Sequence, residues 1–253
     1  MTSRSQQPPL PGLELNSIDE YFVYPPGMKL KIIQKNDKSQ PLHSHFIIEG
    51  DHLSCIFYPE FFGKEQSDSY FEEIKKDQNL KQGEVNVFGI KLEPRETAWY
   101  GVPNKSYTYS GKKMDPQPWT DTSLEEIKKQ IEGVLKSEGV LKSDGEPVDF
   151  TSVLVNKYRH DQDSLGWHSD DEKELGLNPV IGSVSLGQKR KFRLRPKVDR
   201  KKILEIFLPH GSLLIMRGET QEHWEHEVPK VTKTDAKKHG NIPRINLTYR
   251  VIQ

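Results

Sequence analysis

The second half of the chain is a series of short β-type segments separated by turn residues. These segments cover residues 152–158, 181–186, 191–195, 203–208, 212–216 and 244–252. Short strands with Gly and Pro between them predict an antiparallel sandwich or barrel, and a jelly roll is the two-sheet version with an open mouth suited to a metal ion. We therefore expect a mainly β (α+β) fold with supporting helices.

Two helices are predicted before this series. Tyr70, Phe71 and Ile74 stand at helical spacing, and Ser123 with Glu126 reads as a capping box at the start of a second helix. The hexapeptide EGVLKS then occurs twice in succession, at 132–137 and 138–143. A repeat of this length is too short for a solenoid, so an extended loop is predicted there.

Composition limits the class of protein. The chain has 253 residues, enough for one catalytic unit, and its 37 acidic and 37 basic residues cancel. This balance argues against coating nucleic acid or membrane with the whole surface, so any such contact needs a local patch. The single cysteine, Cys55, cannot form an intramolecular disulfide, and no signal core or membrane-spanning run is evident. A reducing compartment, cytosol or nucleus, is expected.

A His-x-Asp pair, His168 and Asp170, is the strongest chemical signal. Two residues apart in an extended segment, both side chains project from one face, and one distant histidine would complete the 2-His-1-carboxylate triad of Fe(II) oxygenases. His223 and His226 compete for that place, because three residues apart they point to opposite faces of a strand. The segment after His226 leads toward the C-terminal strand, which favours His226. Taken alone, a His-x-Asp pair is more often a surface turn.

The C-terminal strand carries a row of polar side chains. Alternation places on one face Arg244, Asn246, Thr248 and Arg250. Two guanidinium groups can hold a dicarboxylate, and Asn156 and Tyr158 could face the same pocket from a neighbouring strand. The alternative is an ordinary solvent-facing row. With the His-x-Asp pair, the pattern predicts a dioxygenase that uses iron and 2-oxoglutarate.

The chain resembles the AlkB-type nucleic-acid dioxygenases and is most similar to the second and third human homologues of that family. The likeness runs from about Val85 to Arg250 through the motifs NKY (156–158), WHSDDE (167–172), SVSLG (183–187), HGSLLIM (210–216) and RINLTYR (244–250). The resemblance implies a double-stranded β-helix (jelly roll) with an N-terminal nucleotide-recognition lid. It also implies that Fe(II) is bound by His168, Asp170 and His226, and 2-oxoglutarate by Asn156, Tyr158, Arg244, Asn246 and Arg250.

Three regions follow from this comparison. Residues 1–45 are expected to be a mobile N-terminal tail and lead-in, residues 46–149 the supporting helices and the lid, and residues 150–253 the jelly-roll core. In the lid, Tyr107 and Tyr109 are expected to pack on the damaged base, although such strand aromatics are usually core residues. Asp171 would read the exocyclic amino group of the base, unless it is simply a solvated acid.

Two further residues are assigned to nucleic-acid contact. Phe88, in Val87-Phe88-Gly89, resembles a finger that fills the gap left by a flipped base, although it could equally be a buried strand residue. Arg95 is a candidate for contact with the backbone or the orphaned base. The basic run 189–202 supplies a local positive patch, with alternating cations that could follow phosphates. The alternative for that run is a solvated face.

The activity implied by the resemblance is oxidative removal of N-methyl groups, from 1-methyladenine and 3-methylcytosine in DNA, with O₂ as oxidant. The expected partner is methylated DNA, single- or double-stranded, with a lean toward duplex competence. The protein is expected to act as a monomer in the nucleus, with the cytoplasm also open. The alternatives are an RNA demethylase with the same chemistry and a non-catalytic nucleic-acid-binding jelly roll.

Overall fold

The structure is a computed structural model that describes residues 18–36, 44–86, 90–103, 107–109, 112–114, 116–235 and 242–253. For residues 84–86, 90–94, 107–109 and 112–114 the description covers the backbone alone. The helices are α1 (Ile18–Tyr21), α2 (Lys64–Ile74), α3 (Ser123–Ser137) and α4 (Thr220–His223), with a 3-10 turn at Lys173–Leu175. The strands are β1 (Phe22–Val23), β2 (Leu30–Lys35), β3 (His45–Gly50), β4 (Leu53–Tyr58), β5 (Lys81–Asn86), β6 (Ile90–Gly101), β7 (Tyr107–Tyr109), β8 (Lys112–Met114), β9 (Ser152–Tyr158), β10 (Leu165–His168), β11 (Ile181–Gly187), β12 (Arg190–Pro196), β13 (Leu204–Leu208), β14 (Ser212–Arg217), β15 (Trp224–Val228) and β16 (Arg244–Arg250).

The described strands form two large antiparallel sheets and one hairpin. The larger sheet has nine strands in the order β2-β3-β4-β14-β11-β16-β9-β6-β5, and the smaller has five in the order β1-β13-β12-β15-β10. Strands β7 and β8 form the separate hairpin. This is the mainly β, two-sheet architecture that the sequence predicts.

The nine-stranded sheet is the middle layer of the fold. On one face, α2 and α3 pack their apolar stripes against it in a cluster that includes Phe71, Ile131 and Leu247. On the other face, a second cluster joins it to the five-stranded sheet, with Phe57 from the larger sheet and Leu194 from the smaller. A sheet covered on both sides needs apolar residues on both faces, except where a pocket is lined.

Strand β16 shows how this layering creates a pocket. Its odd-numbered residues Ile245, Leu247 and Tyr249 belong to the helix-side cluster. The even-numbered residues therefore face the smaller sheet, and all seven residues are buried. The predicted alternation is confirmed, and four polar side chains are buried between the sheets.

Helix α3 is present as predicted, but its N-terminus differs from the prediction. The N-cap is Thr122, without a side-chain cap hydrogen bond, so the capping box does not form. Ser123 instead donates its hydroxyl hydrogen bond to Glu73 Oε1 at 2.8 Å, which links α3 to α2. The prediction missed this because a tertiary partner competes for the same hydroxyl.

The two EGVLKS copies adopt different structures, which corrects the prediction of one extended loop. The first copy is the last part of α3, while Gly139 in the second has φ +66° and ends the helix. The amide of Val140 donates to Leu135 O at 2.8 Å and that of Gly139 to Lys136 O at 3.2 Å, which is the Schellman pattern. Continuation of the apolar stripe would place Glu138 toward the core, so the helix ends there.

The predicted region boundary at 149/150 crosses the larger sheet. Strands β3, β4 and β6 lie before it, and β9, β11, β14 and β16 after it, in one hydrogen-bonded sheet. The division into regions stays a prediction. In the described part of the chain, no helix combines the length and apolarity needed to cross a bilayer.

The duplicated hexapeptide gives a matched test of this fold. Leu135 in the first copy is 1 % exposed, and Leu141 at the equivalent position of the second is 51 % exposed. Leu135→Ala should lower the free energy of unfolding by about 2–5 kcal/mol, because it empties a packed site. Leu141→Ala should change it by less than about 0.5 kcal/mol. Urea unfolding measures both, and equal effects would contradict the assigned structures.

Candidate active site

The His-x-Asp pair and one distant histidine meet at the edge of the smaller sheet. Strand β10 ends at His168 and pairs antiparallel with β15, which places His168 opposite His226. The two imidazole centroids are 4.2 Å apart, and His168 Nε2 lies 3.9 Å from Asp170 Oδ1. One nitrogen or oxygen from each of the three residues lies within 4.8 Å of the others. The structure therefore brings His226, and not His223, to the pair.

The His168 ring has a defined tautomer. Its Nδ1 lies 2.8 Å from the carbonyl oxygen of Gly166, and a carbonyl can only accept. Nδ1 therefore carries the proton, and Nε2 presents its lone pair toward Asp170. A backbone carbonyl that orients a ligand imidazole in this way is common in metal sites. The His168 side chain keeps 22 % of its surface exposed, so this side of the site is open.

Burial and neighbouring charges together set the protonation states of the three groups. Burial lowers the pKa of His226 to about 3, and it also lowers the pKa of His168. Burial alone would raise the pKa of Asp170, but the opposing charges, Arg250 foremost, lower that pKa to about 2. At neutral pH the site holds two neutral imidazoles and one carboxylate. This is the protonation state that a divalent metal ion requires.

Asp170 is held through both its carboxylate and its backbone amide. Arg250 Nη2 donates to Asp170 Oδ1 at 2.8 Å, and both side chains are almost fully buried. The backbone amide of Asp170 donates to Gln221 Oε1 at 2.9 Å. The hydroxyl of Ser169 donates to the carbonyl of Trp224 at 2.9 Å. These bonds connect the His-x-Asp segment to the segment that carries His226.

One cavity is lined by the three predicted metal ligands and by the predicted 2-oxoglutarate ligands. Its lining includes His168, Asp170, His226, Asn156, Tyr158, Arg244, Asn246, Thr248 and Arg250. Register explains this, because Arg244 lies opposite Tyr158 and Asn246 opposite Asn156 where β16 pairs with β9. Residues from the neighbouring strands β9 and β16 therefore face the same space.

Arg244 is the best indication of an anionic ligand. The side chain is 1 % exposed, and burial lowers its pKa to about 10, so it remains a cation at neutral pH. Nη2 donates to Ser185 Oγ at 3.0 Å, while Nε and Nη1 have no hydrogen-bond partner among the described residues. Buried donors of this kind are costly unless a ligand accepts their hydrogen bonds. The donor set fits a carboxylate of 2-oxoglutarate, and the neighbouring triad fits Fe(II).

Three of the predicted substrate residues lie where the structure describes no side chain. Phe88 lies outside the described residues. Tyr107 and Tyr109 lie on β7, where the backbone pairs with β8. Their predicted contacts with nucleic acid stay predictions.

Arg95 and Asp171 lie in different surroundings from each other. Arg95 is 3 % exposed, and its Nε donates to Asn156 Oδ1 at 2.8 Å, so it contacts one of the predicted 2-oxoglutarate ligands. Asp171 has 58 % of its side chain exposed and forms an ion pair with Lys197 at 3.1 Å. Asp171 thus remains accessible beside the metal-type ligands.

The basic run on β12 differs from the free phosphate-binding row that the sequence suggested. Arg193 contacts Glu205 at 2.7 Å and Glu227 at 3.3 Å, and Arg195 contacts Glu225 at 2.8 Å. Those acids lie on β13 and β15, the two strands that flank β12. Most of the positive charge on this strand face is therefore balanced within the protein.

Several residues of the site carry no local sequence signal. Phe192 stacks on the His226 ring with centroids 5.2 Å apart, and Gln221 accepts from the Asp170 amide. Phe192 could be predicted only as a buried strand residue. Gln221 lies in a polar stretch that resembles any surface turn, and only the tertiary structure shows that it is 1 % exposed.

Gln221 gives a test of how the ligands are positioned. Gln221→Ala removes the acceptor for the Asp170 amide, and loss of a partner that orients a metal ligand typically weakens metal binding by about 10–100-fold. Titration with Co²⁺ measures this. The exposed Gln162→Ala is the matched control and should bind Co²⁺ as the unaltered chain does. Equal affinity for both variants would contradict the positioning role.

Arg244 gives a test of the cosubstrate pocket. Arg244→Lys keeps the charge but loses the planar fork, so the Kd for 2-oxoglutarate should rise by about tenfold or more, as expected for one hydrogen bond to a charged group. Calorimetric titration with 2-oxoglutarate and Mn²⁺ measures it. Arg200→Lys, at a side chain that is 62 % exposed, is the control. An unchanged Kd in Arg244→Lys would exclude this pocket.

Comparison with known proteins gives the same assignment. The 2OG-Fe(II) oxygenase superfamily matches residues 54–250. The bovine alpha-ketoglutarate-dependent dioxygenase alkB homolog 3 is 40 % identical over 77 % of this chain, and the chain spans 64 % of that relative's length. The human DNA oxidative demethylase ALKBH2 is 37 % identical over 84 % of this chain and 77 % of its own length.

A comparison with solved structures gives a separate test of the fold. The solved structure of OsALKBH1 matches with a TM-score of 0.52 at 19 % identity, over 78 % of this chain and 97 % of that one, which supports the fold alone. It confirms the predicted fold class. The sequence relatives confirm the family resemblance, and the matching superfamily confirms the predicted cofactors, Fe(II) and 2-oxoglutarate. The chain therefore belongs to the 2OG-Fe(II) oxygenase superfamily and, within it, to the AlkB homologues.

Proposed function

We propose that this chain is an Fe(II)- and 2-oxoglutarate-dependent oxidative demethylase that removes N-methyl lesions, 1-methyladenine and 3-methylcytosine, from DNA. The observation that carries the proposal is one cavity lined by both a His-His-Asp group and the buried cation Arg244. Relatives named DNA oxidative demethylase ALKBH2 support the DNA substrate. Direct reversal of alkylation damage would be its role.

When bound, Fe(II) would supply the oxidising power together with O₂ and 2-oxoglutarate, which would be converted to succinate and CO₂. The methyl carbon on the ring nitrogen is oxidised to formaldehyde, and the base recovers its unmodified ring. No nucleophile from the protein takes part. The chain's own task is to bind, to orient and to limit access of water.

Different residues of the cavity would bind the metal and the 2-oxoglutarate. His168, Asp170 and His226 would hold the metal, since burial keeps the two imidazoles neutral and the charge of Arg250 keeps the Asp170 carboxylate ionised. Arg244 would bind a carboxylate of 2-oxoglutarate, with Asn246 beside it in the lining. The remaining proposed ligands on that side are Asn156, Tyr158 and Arg250. The apolar residues around these groups lower the local dielectric constant, which strengthens the electrostatic interactions between the charged groups.

The methylated base would enter on the open side of His168. We assign Asp171, which is exposed next to the metal-type ligands, to the exocyclic amino group of the base. Tyr107 and Tyr109 would stack on the base and Phe88 would fill the space it leaves in the duplex. Arg95 is buried and donates to Asn156, so its contribution to substrate binding would come through the position of Asn156. These roles rest on family likeness and on position along the chain.

The partner is therefore methylated DNA, and the place of action is the nucleus, where alkylated DNA is repaired. We propose a monomer, because the proposed site is built from one chain alone. RNA is the second substrate to test, because the same oxidation would act on an N-methylated base in either nucleic acid.

Mass spectrometry of methylated oligonucleotides tests the activity. Single-stranded DNA, duplex DNA and RNA carrying 1-methyladenine are incubated with the protein, Fe(II), 2-oxoglutarate and ascorbate. We expect loss of the methyl mass from DNA with the unaltered chain and none with His168→Ala. The exposed His160→Ala should retain full activity, which controls for loss of any histidine.

The result also separates the alternatives. Turnover confined to RNA would replace the DNA proposal with RNA demethylation. Consumption of 2-oxoglutarate without any loss of methyl mass would point to another oxidisable substrate. Absence of both, with the metal shown to be bound, would overturn the enzymatic proposal and leave a nucleic-acid-binding jelly roll.

A further inference from the structure

A second group of metal-type ligands lies on the surface, outside the active-site cavity. It consists of His52, Glu219 and His223, and one ligand atom from each lies within 4.8 Å of the others. His52 Nδ1 is 2.5 Å from Glu219 Oε2, and the two imidazole rings have centroids 3.9 Å apart at an interplanar angle of 21°. We call these three residues the outer cluster.

His223, which is not part of the active site, belongs to the outer cluster. His223 ends α4, three residues before His226, and was a rival third ligand by spacing alone. In the structure it faces the turn between β3 and β4 instead, where His52 lies. Two segments about 170 residues apart in sequence therefore converge to bring two imidazoles and one carboxylate together.

The frame beneath the outer cluster is already fixed by hydrogen bonds. Trp224 Nε1 donates to Asp51 O at 2.9 Å. The amide of Ser54 donates to Thr220 Oγ1 at 3.0 Å. The first bond joins the neighbours of His223 and His52, and the second joins β4 to the residue that follows Glu219. A ligand set held on such a frame loses little conformational entropy when it binds an ion.

The donor set selects a class of ion. Two imidazoles and one carboxylate suit borderline divalent transition metals, and this combination with an open fourth position is typical of Zn²⁺ sites. The side chains of His52, Glu219 and His223 are 44 %, 50 % and 37 % exposed, so water can complete the coordination. A cavity of about 450 Å³ lined by both histidines adjoins the cluster.

We propose that the outer cluster binds one divalent transition-metal ion of the Zn²⁺ class, separately from the Fe(II) site. The ion would cross-link the β3–β4 turn to α4 and so stabilise the segment that leads into β15. A ligand that binds only the folded chain raises its stability by mass action. The competing account is an exposed His52–Glu219 ion pair with a stacked ring, which needs no metal and contributes little.

Zinc stoichiometry tests the proposal directly. Equilibrium dialysis against Zn²⁺ at neutral pH, with metal analysis, should give two ions for each unaltered chain, because the triad also accepts Zn²⁺. Glu219→Gln and His52→Asn should each lose one ion and keep the other. His168→Ala should keep the outer ion, and Glu219→Gln added to it should lose that ion too.

A matched control comes from His160. It is as exposed as His52, at 48 % against 44 %, and lies 3.7 Å from Asp163, yet it belongs to no three-ligand group among the described residues. His160→Asn should keep both ions. If His52→Asn fails to fold, Glu219→Gln, at an exposed acid, still decides the question.

Thermal unfolding separates metal binding from a simple ion pair. Zinc should raise the Tm of the His168→Ala chain, and this rise should vanish when Glu219→Gln is added. The proposal is overturned if His168→Ala binds no Zn²⁺, or if Glu219→Gln lowers the Tm equally with and without zinc. Neither result would bear on the demethylase activity, which depends on the other site.

Discussion

The buried ion pair between Arg250 and Asp170 is the interaction on which the rest of the site depends. It joins β16, in the middle of the nine-stranded sheet, to the loop after β10, with 2.8 Å between Arg250 Nη2 and Asp170 Oδ1. Both partners are nearly fully buried, so removal of either would leave an uncompensated charge that typically costs about 3–5 kcal/mol. The pair also lowers the pKa of Asp170 and so keeps this carboxylate charged. Folding thus fixes a predicted metal ligand and a predicted 2-oxoglutarate ligand in one step.

The two-sheet fold brings these groups together through register. Pairing of β10 with β15 sets His168 opposite His226, and pairing of β16 with β9 sets Asn246 opposite Asn156. A shift of one residue in either pair would turn the polar side chains to the other face. Helices α2 and α3 cover the far side of the central sheet, which leaves the space between the sheets for the site.

Much of this was predictable because it depends on short-range pattern. Alternation along β16 identified its buried polar face, and the family motifs identified the metal-type ligands and the fold. What failed depends on partners that are distant in sequence. The acids that balance Arg193 and Arg195 lie on flanking strands, and the two EGVLKS copies differ because only the first continues the apolar stripe of α3. The surface group around His223 likewise requires a turn about 170 residues away.

The most direct measurement is a crystal structure of the chain grown with Mn²⁺ and 2-oxoglutarate, with the ion located by anomalous scattering. We predict one ion within about 2.0–2.3 Å of His168 Nε2, an Asp170 oxygen and a His226 nitrogen, as is usual for such ligands. We also expect a 2-oxoglutarate carboxylate on the Nε and Nη1 donors of Arg244. An ion bound without His226, or a cosubstrate that does not contact Arg244, would contradict the proposed site.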